Sequence, residues 1–206
     1  MKNYQKTIDW LFRQFPSYQT QGKIAYKADI NNVRDFFKKH GEDYLLFKTI
    51  HVAGTNGKGS VSHMLSSILQ QSGYKVGLFT SPHLLCFRER IKINGKKISK
   101  KFIVEFFNKY SKEFQKTKMS FFEMNVIMAF RYFLINKVDF AIVEVGLGGR
   151  LDSTNIITPI LSIITNISID HTNLLGDSIK SIAVEKIPNK GLGKTINDRL
   201  TRASKF

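Results

Sequence analysis

The segment Gly54-Thr55-Asn56-Gly57-Lys58-Gly59-Ser60 has the residue types needed to hold a chain of phosphates. Glycines let the backbone approach an anion closely, amides at a helix start point toward it, and a lysine offsets its charge. The run Thr49-Ile50-His51-Val52-Ala53 before the segment reads as a buried strand, and Val61, Met64, Leu65, Ile68 and Leu69 after it mark one face of a helix reaching Gly73. That strand-turn-helix context favours a phosphate loop over a glycine turn of purely structural use. Its spacing departs from the strict Walker pattern, because Gly59 separates Lys58 from Ser60. A second place for chemistry is Glu144, expected at the C-terminal end of a central strand, the edge where open α/β sheets bind ligands. Magnesium prefers hard oxygen ligands and bridges nucleotide phosphates, so Ser81 and Glu144, both expected at strand ends, are candidate magnesium ligands.

The elements that must position these groups follow from periodicity. Ile8, Leu11, Phe12 and Phe15 predict a first amphipathic helix closed by Pro16; Ile30, Val33, Phe36 and Phe37 predict a second, ended by Gly41. Lys75 to Thr80 reads as the strand that completes a βαβ unit with the phosphate loop. Asn94-Gly95 predicts a tight hairpin turn after Ile91-Lys92-Ile93. Ser99 is placed to cap a helix carrying Phe102, Ile103, Phe106, Phe107 and Tyr110. Ser120-Phe121-Phe122-Glu123 has the spacing of a capping box and opens another helix running to Asn136. Val138 to Val145 and Ile160 to Ile167 are apolar enough for strands buried on both faces. Alternating strands and helices therefore predict an α/β fold: a P-loop-containing, doubly wound, mainly parallel sheet flanked by helices.

Composition narrows the function classes. The chain has 206 residues, 42% hydrophobic, with no apolar run long enough to span a bilayer and no export signal at Met1-Lys2-Asn3-Tyr4, so a cytoplasmic protein off the membrane is expected. The single cysteine, Cys86, excludes an intramolecular disulfide and suits a reducing compartment. A net charge of +16 invites a nucleic-acid reading, but the lysines are scattered and not interleaved with aromatics along one helix. No nucleic-acid partner is expected; the surplus instead concentrates anionic small molecules near the surface.

The phosphate segment resembles the ATP loop of the Mur ligase superfamily and, within it, of the folylpolyglutamate synthase and dihydrofolate synthase family. Three further segments share the likeness in order: Phe79-Thr80-Ser81-Pro82-His83-Leu84 with Phe87-Arg88-Glu89-Arg90-Ile91; Glu144-Val145-Gly146-Leu147-Gly148-Gly149-Arg150-Leu151-Asp152-Ser153-Thr154-Asn155; and Asp170-His171-Thr172. The resemblance implies the fold of the Mur ligase central domain. It also implies an ATP- and magnesium-dependent ligase that adds L-glutamate to dihydropteroate or a folate through an acyl phosphate. Lys58, Glu144, His171 and Lys186 are its implied catalytic set, and Ser81, Glu144, His171 and Lys186 its metal ligands, with Lys186 carbamylated. Asp29, Ser120, Phe121, Phe122, Glu123, Leu151, Asp152 and Ser153 are its implied acceptor contacts.

Each of these residues has an ordinary alternative: an N-cap for Ser81, a salt bridge for Glu144, a hydrogen-bonded His171, a surface Lys186, a helix cap for Ser120 and Glu123, and a loop turn for Asp152. His51 and His63 are read as packing or surface histidines. Residues 1–186 are expected to form the ATP-binding domain. Residues 187–206, with five basic side chains and one acidic, depart from the family pattern and read as a divergent tail, disordered or frame-shifted, with the family's C-terminal ligase domain absent. A monomer binding only small molecules is expected. Two other readings stay open: a non-catalytic ligase remnant that binds nucleotide, and a different P-loop NTPase.

Overall fold

Four of the six strands run parallel, so their C-terminal ends share one edge of the sheet. The computed structural model describes residues 3–15, 29–41 and 47–187. Its strands are β1 (Lys48–Ala53), β2 (Val76–Phe79), β3 (Ile91–Ile93), β4 (Lys96–Lys97), β5 (Phe140–Glu144) and β6 (Leu161–Ile164). Their order across the sheet is β4-β3-β2-β5-β1-β6, with β2, β5, β1 and β6 parallel and β3 and β4 antiparallel. The register pairs Val52 with Glu144 and Phe79 with Val143, so β1, β2 and β5 end level with one another. The turns that leave β1, β2, β5 and β6 therefore gather at one edge.

Alternation along the strands divides the core into two layers. Ile50, Val52, Val76, Leu78 and Ile142 face α3 (Lys58–Gln71), whose Val61, Leu65 and Leu69 cover them. Phe79, Ala141 and Val143 belong to a larger, aromatic-rich core with α1 (Tyr4–Gln14), α2 (Asn31–His40), α4 (Lys100–Lys116) and α5 (Phe121–Ile135). Edge-on and tilted rings run through this layer, with Phe36 lying 5.1 Å from Tyr110 and 5.7 Å from Phe114. Each fully buried ring contributes roughly 2 kcal/mol of transfer free energy. Helices on both sheet faces make this the expected doubly wound architecture.

Local signals hold where they are mechanistic. Asn94 and Gly95 both take positive φ, 45° and 73°, between β3 and β4, as the tight hairpin requires. Ser99 accepts from the Phe102 amide, Gly41 closes α2 at φ 62°, and Ser120 and Glu123 cap α5 reciprocally. Two short helices, α6 (Thr172–Leu175) and α7 (Ile179–Lys186), complete the chain's described part. Pro16 lies outside the described residues, as does the tail apart from Ile187.

Two expectations need correction. Met64 and Ile68, expected on the buried face of α3, are 58% and 61% exposed; Ser62 and Ser66 are buried instead. Small serines let the helix axis settle close to the sheet, which rotates its contact line away from Met64 and Ile68. The strand expected over Ile160 to Ile167 is shorter and, among the described residues, forms an edge of the sheet, with Leu161 exposed and the rest only partly covered. Hydrophobicity alone does not separate a central strand from an edge strand when both are β-branched.

Candidate functional site

The phosphate loop runs from the end of β1 into α3. Gly54 and Gly57 sit at φ 139° and 81°, conformations that side-chain-bearing residues rarely adopt. Gly57 is the N-cap of α3 and supplies no side chain, so no side-chain oxygen caps the amides that open the helix. That is the arrangement an anion fits, with the helix dipole adding to the attraction. Lys58 folds back to donate to the carbonyls of Gly54 at 2.9 Å and Thr55 at 3.0 Å, which keeps its ammonium at the mouth of the loop.

The loop is braced by the turn that leaves β6. The Thr55 amide donates to the Asn166 carbonyl at 2.9 Å, the Asn56 amide to Asn166 Oδ1 at 2.8 Å, and the Thr165 hydroxyl to the Asn56 carbonyl at 2.6 Å. The Ser168 amide donates to Thr55 Oγ1 at 3.0 Å. Sequence reasoning missed these braces because it extended the strand through them. The signal was present: Thr165-Asn166 interrupts the apolar run with the two polar side chains that do the bracing.

Glu144 ends β5 against the start of α3. A Cβ placed on Gly59 would lie 3.7 Å from Glu144 Oε1, so the carboxylate borders the phosphate loop directly. The Ser81 amide donates to Glu144 Oε2 at 3.0 Å, which brings both candidate magnesium ligands together. Burial pushes the Glu144 carboxyl up, against the Ser81 amide, Lys58 and Arg90, which pull it down. The loop that carries Ser81 is pinned by Glu89, whose carboxylate accepts from the amides of Leu84, Leu85 and Cys86 and is held down at about 2 chiefly by the first two. Among the described residues no three His, Cys, Asp or Glu side chains gather into a metal cage. One carboxylate and one serine beside a phosphate loop instead fit magnesium that arrives with a nucleotide and takes its other oxygens from phosphate and water.

Lys186 reaches this edge from α7. It is 2% exposed and its Nζ donates to the Gly54 carbonyl at 3.1 Å, the same carbonyl that Lys58 uses. Burial foremost, then Lys58, lowers the amine to about 8, while Asp170 pulls the other way. The end of α7 is fastened to the turn after β5 by the Arg150 amide on the Glu185 carbonyl and by an Arg150–Glu185 ion pair at 2.7 Å. His171 precedes α6 at φ 49°, half-exposed, with Nε2 3.5 Å from Asp170 Oδ2. A surface position for Lys186 is thereby excluded, and Asp170 links it electrostatically to the His171 turn.

The residues expected on the acceptor side divide. Phe122 packs against the turn after β5, where a Cβ on Gly146 would meet its ring at 2.4 Å, and lies 5.9 Å from the Phe79 ring. Phe121 is buried and stacks 5.3 Å from Phe12. Ser120 and Glu123 satisfy each other at the head of α5, though Glu123 Oε1 is buried with no hydrogen-bond partner. Asp152 is committed to scaffolding: Oδ2 accepts from the Gly146 and Leu147 amides, and Oδ1 from the Thr154 amide and hydroxyl. Leu151 beside it is half-buried, and Ser153 is buried. Asp29 accepts from the Asn31 amide at the start of α2 and bonds to none of the other candidate residues.

His51, read as a packing residue, is buried in β1 and supports that scaffold. Thr154 gives its one hydroxyl proton to Asp152, so His51 Nε2 must be the donor in the 2.8 Å contact with Thr154 Oγ1. The ring is thus neutral, its Nδ1 unpartnered, and burial lowers it to about 3. Unfolded, the ring takes a proton near its ordinary value of about 6.5, whereas the native ring does not. Stability is therefore expected to fall as pH drops from about 6.5 toward 3, by up to about 1.4 kcal/mol per pH unit from this residue. Urea midpoints measured between neutral pH and pH 5 check this; His51→Asn should flatten the slope, and an unchanged slope would remove the histidine from the account.

Comparison with known proteins adds the family context. The Mur ligase middle domain matches residues 52–188. The chain is 38% identical over 190 residues to the dihydrofolate synthase/folylpolyglutamate synthase of Bacillus subtilis, covering 89% of this chain and 43% of that protein. The folylpolyglutamate synthase of Thermotoga maritima superimposes with a TM-score of 0.76 at 37% identity, covering 90% of this chain and 41% of the other. E. coli FolC, solved in complex with DHPP and ADP, gives 0.77 at 30% identity, covering 91% and 44%. The chain thus spans less than half the length of each of these relatives.

Proposed function

The chain belongs to the Mur ligase middle-domain family, and from that membership we propose that it is the nucleotide-binding part of an ATP-dependent ligase joining L-glutamate to dihydropteroate or to a folate. The observation that carries the proposal is the meeting of the phosphate loop, Glu144 and Ser81 at one sheet edge. Relatives named as folylpolyglutamate and dihydrofolate synthases support the choice of substrates. A different P-loop NTPase fits less well, because Gly59 breaks the lysine-serine adjacency of the strict pattern.

In this reading the carboxylate of the acceptor attacks the terminal phosphorus of ATP, releasing ADP and forming an acyl phosphate; the amine of glutamate then displaces phosphate and gives up a proton. Such transfers depend on positioning and charge stabilisation more than on covalent help. The loop amides at the start of α3 hold the phosphate chain, and Lys58 faces its terminal oxygens. Glu144 and the Ser81 hydroxyl would hold magnesium, which when bound would offset charge on the phosphates. Lys186 is neutral in a larger share than an exposed lysine. That suits uptake of carbon dioxide as a carbamate, whose oxygens, with His171, would form a second metal position. Phe122 offers an aromatic face to a flat ring, with Leu151 and the head of α5 nearby in the acceptor region.

We place the domain over residues 1–186. Its partners are small molecules, with no nucleic acid or membrane, and a cytoplasmic monomer is the matching state; no helix among the described residues is long and apolar enough to cross a membrane.

Calorimetric titration of the chain with ATP, with and without magnesium, and then with dihydropteroate tests the reading. Both ligands are expected to bind, and Glu144→Gln to lose most of the magnesium dependence, since an amide is the poorer ligand for a hard cation. A nucleotide-loaded chain that ignores dihydropteroate would overturn the acceptor assignment. A wild-type magnesium response in the glutamine variant would remove Glu144 from the metal site.

A further inference from the structure

Arg90 is a buried cation that has no ion-paired carboxylate among the described residues. It closes the 3₁₀ turn Phe87–Arg90, and its carbonyl accepts from the Thr80 amide at 3.0 Å, which pins it beside the end of β2 next to Ser81. It is 4% exposed, yet among the described residues it makes no ion pair with a carboxylate. Its Nε donates to His83 Nδ1 at 2.8 Å, and its Cζ lies 5.3 Å from the Phe121 ring centroid. Glu144 attracts it from beyond ion-pair distance. The two terminal nitrogens have no acceptor among the described residues.

A guanidinium only 4% exposed has lost most of its hydration, and an arrangement that fixes its plane while giving its terminal nitrogens no acceptor among the described residues suits an anion. Phe121, at the head of α5, stands on the proposed acceptor side; Glu144 stands on the nucleotide side. Resting on the function proposed above, we infer that Arg90 receives the carboxylate of the acceptor through its two terminal nitrogens and so orients that group toward the phosphate. Bidentate recognition of carboxylate is the geometry a guanidinium fork provides. The terminal phosphate of the nucleotide would offer the same kind of oxygen. It already has Lys58 and the loop amides, whereas among the described residues no other cation is fixed against Phe121 by both a hydrogen bond and a ring contact.

The test compares affinities of the chain for dihydropteroate and for its carboxamide, and separately for ATP and ADP, in wild type, R90Q and R90K, with folding checked by circular dichroism. Wild type is expected to favour the carboxylate over the amide by about tenfold or more, as a charge-assisted bidentate contact should. R90Q should lose that preference while keeping its ATP-to-ADP ratio, and R90K, which keeps the charge without the fork, should retain only part of it. If R90Q does not fold, R90K decides on the same comparison. Full discrimination in the folded variants overturns the inference and leaves the ligase reading intact. A changed ATP-to-ADP ratio with carboxylate discrimination preserved assigns the fork to phosphate and overturns it as well. Failure of wild type to bind dihydropteroate overturns the acceptor reading, and this inference with it.

Discussion

Replacing Lys58 with alanine is expected to weaken nucleotide binding by about ten- to a hundredfold, the size of one lost charge-assisted contact of roughly 1.5–3 kcal/mol. Lys58 is the charged residue built into the loop itself, held at its mouth by the carbonyls of Gly54 and Thr55. Losing those two bonds also frees the loop to move, so the effect should sit at the upper end of the range. A local consequence distinguishes this from general damage. Lys58 helps depress the Lys186 amine, so removing it should raise Lys186 from about 8 toward the ordinary lysine value. Titration with a non-hydrolysable ATP analogue reads the first effect, and pH-dependent labelling of Lys186 the second. Unchanged affinity would take Lys58 out of the site. Lost affinity with an unmoved Lys186 would mean that the two ammonium groups are not neighbours in solution.

The phosphate loop, its flanking strand and helix, and Glu144 were legible because each is written as a local pattern: glycine spacing, a β-branched run, a carboxylate at the end of that run. Caps were legible for the same reason, since Ser99 and the Ser120/Glu123 pair act within three residues of themselves. What escaped depends on contacts between distant segments. The polar pair Thr165-Asn166 marks a break in the apolar run, but that local signal does not say which loop, more than a hundred residues earlier, the pair will brace. Nor does the sequence near Arg90 show that its side chain will be buried, because that burial depends on Phe121 at the head of α5 and on how the loop folds His83 back onto it. Asp152 illustrates the converse. Family likeness implies an acceptor contact there, and what the sequence did not show is that its carboxylate also accepts from the Gly146, Leu147 and Thr154 amides. The turn after β5, part of the proposed acceptor region, thus takes its shape from Asp152 and, through Thr154, from His51.

Gly54→Ala should be among the most damaging methyl groups that could be added at the described glycines. The new Cβ would stand 2.0 Å from Thr165 Oγ1 and 3.1 and 3.2 Å from the amide nitrogens of Thr165 and Asn166. A rotation of the Thr165 side chain could relieve the first contact but not the other two, because the Thr165 amide is held to the Ala53 carbonyl at 3.0 Å. The backbone at φ 139° adds strain for any residue with a Cβ. Strain of about 1–3 kcal/mol and overpacking of about 1–3 kcal/mol sum to roughly 2–6 kcal/mol, a large share of the stability of an ordinary domain. The relief available is to push the turn after β6 away, which breaks the bonds from Thr55 and Asn56 to Asn166 and opens the phosphate loop. Chemical unfolding should therefore show a large loss of stability, and nucleotide binding should disappear with it. Gly41→Ala is the control: its φ of 62° carries strain, but nothing lies within 4 Å of the added methyl, so only about 1 kcal/mol should be lost. Gly54→Ala combined with Thr165→Gly removes the shortest contact and should recover part of the stability but little of the binding, since the hydroxyl that braces Asn56 is gone. Equal losses at Gly41 and Gly54 would show that backbone strain alone sets the cost. In that case the turn after β6 is not what holds the phosphate loop in shape.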